Sequence, residues 1–275
     1  MTPASQAKAK IGIIGAAGRM GQMIAREILS GQHAGASLVA ALDYDGCPVL
    51  GKDVGTLLGL EPCGVVITAD KHKVFETANV VIDFTNAAAT VDLASLAFQH
   101  GTAYVVGTTG LGEKELGSLK VAAQKAPVLQ AANMSLGVNL LAALVEQTAK
   151  RLGTDYDIEI FEAHHRHKVD APSGTALALG EAAAKGRGVL LKDAIVPARY
   201  GQIGARPEGA IGISVFRGGD VIGDHTVTFA GMGERLELSH KASDRSLFAR
   251  GAVTAACWLA GKPAGTYAMK DVLGL

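Results

Sequence analysis

The stretch Lys10-Ile11-Gly12-Ile13-Ile14-Gly15-Ala16-Ala17-Gly18-Arg19-Met20-Gly21 decides the fold of this chain. A short apolar run over 10–14 stops at glycine, and a helical pattern of apolar residues follows over 20–29. Glycine lets the backbone turn sharply between the two, so the segment reads as strand, tight turn, helix. A second apolar run over 36–42 completes a βαβ unit, for which a right-handed connection is expected.

The alternation continues along the chain. Strands are expected over 79–84, 103–106 and 127–130, with helices over 88–100 and 113–125 between them. Strands and helices in strict turn build a doubly wound parallel sheet, here a Rossmann-like α/β domain. Near Asn133 the pattern changes: a long apolar helix over 138–151 precedes a strand over 157–163 and a helix opening at Ser173. The runs 212–216, 220–229 and 235–239 then follow without intervening helices, joined by turns such as Arg217-Gly218-Gly219. They predict an α+β domain with a mixed or antiparallel sheet.

At 275 residues the chain is long for one compact unit, given about 150 residues per domain. The expected division is 1–133 for the parallel-sheet domain, 134–243 for the domain with the mixed or antiparallel sheet, and 244–275 as a segment whose helix over 247–259 returns to the first domain. The 26 basic residues equal the 26 acidic ones, so no global field favours nucleic acid or an anionic membrane. Any anion site must be local. Cys47, Cys63 and Cys257 lack C-x-x-C spacing, which argues against a zinc site or a disulfide framework and fits a reducing compartment. The leader 1–10 lacks the apolar core of a signal peptide, and no apolar run approaches the ~18 residues that span a bilayer. A cytoplasmic location is expected.

The glycine turn has the spacing G-x-x-G-x-x-G, with Ala17 at the usual second glycine. Backbone N–H groups at the start of the helix can face a pyrophosphate there. Asp43 lies 22 residues after Gly21 (43 minus 21), at the end of the second strand, where a carboxylate can accept the protons of ribose hydroxyls. The plain alternative is an ordinary βα turn beside a solvated aspartate; strand, turn, helix, strand and acid in this order favour the dinucleotide. Tyr44 stands where an enzyme selective for NADPH often has a basic residue, although Arg19 could reach a 2′-phosphate. NADH is therefore expected to serve at least as well as NADPH. Phe84-Thr85-Asn86 and Gly107-Thr108-Thr109-Gly110 lie after two further strands, at the sheet edge where ligands of open α/β sheets bind.

The densest polar cluster is Glu162-Ala163-His164-His165-Arg166-His167-Lys168-Val169-Asp170-Ala171-Pro172-Ser173-Gly174-Thr175. Ser173 reads as a helix N-cap, which turns the first-turn amides of Gly174 and Thr175 towards an anion such as a carboxylate. His164, His165 and Lys168 add donors and positive charge, and Lys168 suits proton donation to carbon. The bland readings are a simple cap and a solvated basic loop. No metal is expected: in an extended stretch His165 and His167 share a face while His164 points away.

These segments, together with Phe84-Thr85 and Gly107-Thr108-Thr109-Gly110, resemble the signature segments of the dihydrodipicolinate reductase family, also called 4-hydroxy-tetrahydrodipicolinate reductase. The resemblance covers almost the whole chain after the leader. It implies His164 as the catalytic acid/base, Lys168 as the proton donor, and His165, Gly174 and Thr175 as binders of substrate carboxylates. It also implies cofactor contacts from Gly15, Ala16, Ala17, Gly18, Arg19, Met20, Asp43, Gly107, Thr108, Thr109, Ala131, Ala132, Asn133 and Met134, with Tyr44 in the place of the selecting basic residue. The implied reaction delivers a hydride from NADH or NADPH to a small cyclic dicarboxylate on the route to diaminopimelate and lysine. The implied assembly is a cytoplasmic homotetramer joined through the sheet of the second domain. Rival readings are another two-domain nicotinamide-dependent dehydrogenase and a non-catalytic dinucleotide sensor.

Overall fold

The computed structural model describes residues 8–275, so the leader discussed above lies outside the described residues as far as position 7. The chain forms two compact units, one of residues up to Ser135 together with Ser246–Leu275 and one of Leu136–Arg245.

In chain order the first unit contains β1 (Ala9–Ile14), α1 (Arg19–Leu29), β2 (Ala36–Leu42), α2 (Val54–Leu57), β3 (Ile67–Thr68), α3 (Lys71–Thr77), β4 (Val80–Asp83), α4 (Ala87–His100), β5 (Ala103–Val106), α5 (Glu113–Ala122) and β6 (Pro127–Gln130). The second unit follows with α6 (Leu136–Leu152), β7 (Asp157–His164), α7 (Gly174–Arg187), α8 (Leu191–Ala194), β8 (Ile195–Val196), β9 (Ile211–Arg217), β10 (Gly223–Gly231) and β11 (Glu234–Ala242). The chain then returns to the first unit through α9 (Ser246–Leu259), β12 (Gly265–Tyr267) and α10 (Met269–Leu273).

Among the described residues the first sheet has seven strands in the order β12-β6-β5-β4-β1-β2-β3, every pair parallel. A parallel strand is buried on both faces and needs a continuous apolar run, which Val80-Val81-Ile82 and Ala103-Tyr104-Val105-Val106 supply with no exposed residue. The helices α3, α4 and α5 close one face through Phe75, Leu93, Leu96 and Leu119 against Val81, Tyr104 and Val106. The returning helix α9 packs on β4 and β5 and beside α1. The strand order reverses its direction of winding between β1 and β4, the place where such sheets open a crevice at their carboxyl edge.

The second sheet is mixed, in the order β11-β10-β7-β9-β8: β7 runs parallel to β9 and antiparallel to β10. Alternation sets its two faces. Ile158 and Ile160 of β7, Ile211 and Ile213 of β9, and Val227 and Phe229 of β10 meet Leu141 and Val145 of α6 and Leu179 of α7. The other face leaves Phe161 and Phe216 about half exposed, at 47% and 48%. The short elements β3, α2, α3, α8, β8, β12 and α10 were not expected from the sequence; each is brief, and most lack a sustained period.

Candidate active site

In the first unit, parallel strands bring the ends of β1, β2, β4, β5 and β6 to one edge. The chain leaves β1 through Gly15, whose φ of +75° favours glycine, and the N–H groups of Gly15 and Ala16 both donate to the Leu42 carbonyl at 2.9 and 3.0 Å. Asp43 then fixes the rest of the turn. Its Oδ2 accepts the Ala17 N–H at 2.7 Å and its Oδ1 the Tyr44 N–H at 2.9 Å. A carboxylate has about four lone-pair directions, so capacity for further donors remains.

The turn fits a pyrophosphate on a specific observation. Asp53, Asp70, Asn86 and Ser173 cap α2, α3, α4 and α7 with their own side chains, whereas Gly18 at the start of α1 offers no side-chain cap and the first turn of α1 has no acid. That leaves the positive end of the helix for an anion. Arg19 and Tyr44 are exposed beside the turn, Gly107 and Thr108 are buried with Thr109 exposed after β5, and 131–134 run on from β6.

One buried acid at this edge was not read from the sequence. Asp83, fully buried at the end of β4, accepts the Thr85 N–H at 2.8 Å, the Thr85 hydroxyl at 2.6 Å and the Tyr104 hydroxyl at 2.7 Å. Burial pushes its carboxyl above the usual range against these hydrogen bonds. The same network sets the Thr85 methyl against Gly15, 2.9 Å from where a Cβ would stand. The one sequence signal was an acid closing an apolar run.

In the second unit, the end of β7 carries Glu162 and His164 on the same face, two residues apart. Glu162 is wholly buried and every direction around it is used: His164 Nδ1 lies 2.6 Å from Oε2, Arg217 donates to both oxygens at 2.7 Å, and the Ser173 N–H donates to Oε1 at 3.0 Å. Burial pushes this carboxyl up, but Arg217, then His164 and Ser173, hold it below its usual value. Ser173 caps α7 as expected, accepting the Ala176 N–H at 3.1 Å, and its hydroxyl also lies 3.0 Å from His225 Nε2.

After His164 the chain leaves the sheet as a cationic loop. The His165 and His167 rings lie 6.3 Å apart, tilted by 40°, and line a cleft of about 650 Å³ with Arg166, Gly219 and Asp220. Burial, then the charges of Arg245, His167, His164 and Lys168, lower the pKa of His165, and its Nδ1 is buried without a partner. An unpaired nitrogen amid cations suits an anionic, hydrogen-bonding ligand. Lys168 Nζ lies 2.8 Å from Asp170 Oδ1, and α7 starts at Gly174 and Thr175 just beyond. Among the described residues no group of three or more His, Cys, Asp or Glu could hold a metal ion, and no helix is long and apolar enough to cross a membrane.

The structure therefore gathers the predicted residues 15–20, 43, 44, 107–109 and 131–134 at one sheet edge of the first unit, and His164, His165, Lys168, Gly174 and Thr175 at one end of the second. Sequence reasoning missed Glu162, Arg217 and His225. Period-two alternation could have paired Glu162 with His164; Arg217 and His225 come from strands whose register the sequence does not announce.

His225 yields a test of this network. Burial, then the charge of His164, with smaller contributions from His240 and Lys168 and opposed by Glu162, lowers its pKa from 6.5 to about 4. Its Nδ1 is buried without a partner, so a protonated ring would bury a donor with no acceptor. The unfolded chain binds this proton near 6.5 and the folded chain only near 4, so the stability held here is whole above 6.5 and is lost as pH falls between those values. The full loss is on the order of 3 kcal/mol. Urea melts at pH 7 and pH 5 should show a drop in the wild type that His225→Gln reduces; equal pH dependence in both would refute the assignment.

A nucleotide-ready turn on a parallel sheet, and a buried acid–histidine pair under a cationic loop on a separate mixed sheet, are the arrangement of a two-domain nucleotide-dependent oxidoreductase. The family model described as dihydrodipicolinate reductase, N-terminus, matches residues 9–134, and the one described as dihydrodipicolinate reductase, C-terminus, matches 137–273. The chain belongs to the dihydrodipicolinate reductase family. It is 54% identical over 264 residues to the 4-hydroxy-tetrahydrodipicolinate reductase of Brucella abortus (strain 2308), covering 96% of this chain and 98% of that one. It is 52% identical over 267 residues to the protein of the same name from Rhizobium meliloti, with 97% of each covered. Among solved structures, dipicolinate-bound dihydrodipicolinate reductase from Paenisporosarcina sp. TG-14 superposes with a TM-score of 0.76 at 24% identity, over 96% of this chain and 98% of that one.

Proposed function

We propose that this chain reduces 4-hydroxy-tetrahydrodipicolinate to tetrahydrodipicolinate, with loss of water, in the diaminopimelate route to lysine. The observation that carries the reading is the end of β7, where His164, His165 and Lys168 stand beside the capped first turn of α7 in a chain of this family. A dicarboxylate ring needs cationic donors for its carboxylates and a proton source beside the reduced carbon, and this cluster offers both.

NADH or NADPH supplies the hydride when bound. In this reading Gly15, Ala16, Ala17, Gly18, Arg19 and Met20 receive the pyrophosphate, Asp43 the ribose, with Tyr44 alongside, and Gly107, Thr108, Thr109, Ala131, Ala132, Asn133 and Met134 the nicotinamide half. His165, Gly174 and Thr175 hold substrate carboxylates, His164 exchanges a proton as acid/base, and Lys168 protonates the carbon next to the reduced centre. No metal has a role, since Glu162 is spent on Arg217, His164 and Ser173 and Asp170 on Lys168. The second unit binds substrate and, through the sheet face bearing Phe161 and Phe216, joins copies of the chain into a cytoplasmic homotetramer.

The deciding assay follows oxidation of NADH and NADPH in parallel, with the cyclic substrate generated in place from pyruvate and aspartate semialdehyde. Substrate-dependent oxidation is expected, with kcat/KM for NADH at least equal to that for NADPH. The Asp43 carboxylate repels a 2′-phosphate and Tyr44 offers it no cation. No oxidation with either cofactor sinks the reaction; a strong preference for NADPH sinks the cofactor assignment alone.

A further inference from the structure

We infer that Glu162 is a positioning residue for this reaction: through one buried carboxylate it fixes which nitrogen of His164 exchanges the proton and locks that ring to the first turn of α7. The inference rests on the reading of His164 as the acid/base group.

The argument begins with hydrogen-bond capacity. An ionised carboxylate only accepts, and the bidentate Arg217, at 2.7 Å to each oxygen, keeps Glu162 ionised inside the protein. Whatever meets Glu162 must donate, so His164 Nδ1, 2.6 Å away, carries the proton. In the neutral ring the lone pair then belongs to Nε2. That nitrogen faces Gly223: a Cβ on Gly223 would stand 3.0 Å from Nε2, so any larger residue there would crowd the nitrogen. The reactive atom is thus selected on one side by a fixed acceptor and left uncrowded on the Gly223 side by a missing side chain.

The same carboxylate organises the loop. Its Oε1 receives the Ser173 N–H at 3.0 Å, immediately before the first turn of α7, and its partner Arg217 also donates to the Asp170 carbonyl at 2.7 Å. His164 opens the loop 165–172 and Ser173 closes it, so both ends are tied to Glu162. Lys168 and His165 hang between these two anchors. A carboxylate used only to neutralise Arg217 would not need to meet the imidazole or the helix cap.

The test reads the ring directly. Imidazole nitrogen NMR of the ¹⁵N-histidine-labelled protein, with His164 assigned by the resonances lost in His164→Gln, is expected to show Nδ1 protonated and Nε2 bare once the ring is neutral. Glu162→Gln keeps the acceptor for Ser173 but can also donate, so a mixture of tautomers is expected. Its kcat should fall about 10²-fold, the size of an acid–base contribution, with KM little changed. A purely structural role would lower stability without moving the tautomer. A proton on Nε2 in the wild type, or Glu162→Gln with undiminished kcat, overturns the inference. Should that variant fail to fold, the wild-type spectrum decides alone. Absence of turnover by the wild type counts against the reaction itself, whereas the spectrum needs no substrate.

Discussion

Lys168→Ala should lose about 10²–10⁴-fold in kcat, the range in which a positioned proton donor acts, while affinity for NADH stays unchanged. The nitrogen is held 2.8 Å from Asp170 Oδ1, in a pair whose lysine side chain is 20% exposed and whose aspartate side chain is 54% exposed. Such a pair orients the ammonium at modest energetic gain, since half-exposed ion pairs are screened by water. Asp170 is held below its usual carboxyl range, chiefly by the hydrogen bond from Lys168. The cofactor turn belongs to the other unit, so removing Lys168 leaves its donors intact.

The kinetic pattern separates two roles for this lysine. If it donates a proton in the transition state, kcat and kcat/KM fall together; if it only holds a substrate carboxylate, KM rises and kcat stands. Initial rates over a range of substrate concentration, with NADH binding followed by fluorescence, distinguish the two. A preserved kcat removes Lys168 from proton transfer and leaves it as an anion binder beside His165.

Much of this site could be read in advance because its parts are contiguous. The turn 15–21 and the stretch 162–175 each hold their chemistry within a few residues, and local rules for turns and caps place it: Ser173 caps α7 and Gly15 turns the chain as those rules require. What could not be read depends on register. Arg217 reaches Glu162 because β9 lies parallel to β7 with His164 beside Arg217, and His225 faces Glu162 across the antiparallel pair β7–β10. Alternation alone says which residues share a face of one strand; it does not say which residue of another strand lies alongside. The seventh strand of the parallel sheet escaped for a related reason. Gly265-Thr266-Tyr267 has no apolar run of its own and is a strand because β6 offers it a free edge.

A matched pair of glycine substitutions should have opposite signs. Gly21 and Gly117 both sit inside helices, α1 and α5, where alanine has the better intrinsic propensity by up to about 1 kcal/mol. Around Gly117 a Cβ meets nothing within 4 Å, so Gly117→Ala should realise that gain and raise stability. At Gly21 the added carbon would stand 2.1 Å from the Gly15 carbonyl oxygen and 2.8 Å from Ala16 Cα. Both are backbone atoms of the turn, and no rotamer change relieves them. The helix must move off β1, with an overpacking cost of about 3 kcal/mol that outweighs the propensity gain. The displaced atoms are those of the turn assigned to the pyrophosphate, so Gly21→Ala should lower the apparent Tm by about 5 °C and weaken NADH binding by roughly ten-fold or more, about 1.4 kcal/mol. Thermal melts and NADH titrations on the two variants check this. Lower stability with unimpaired NADH binding would mean that the turn is needed for packing but is not where the pyrophosphate rests.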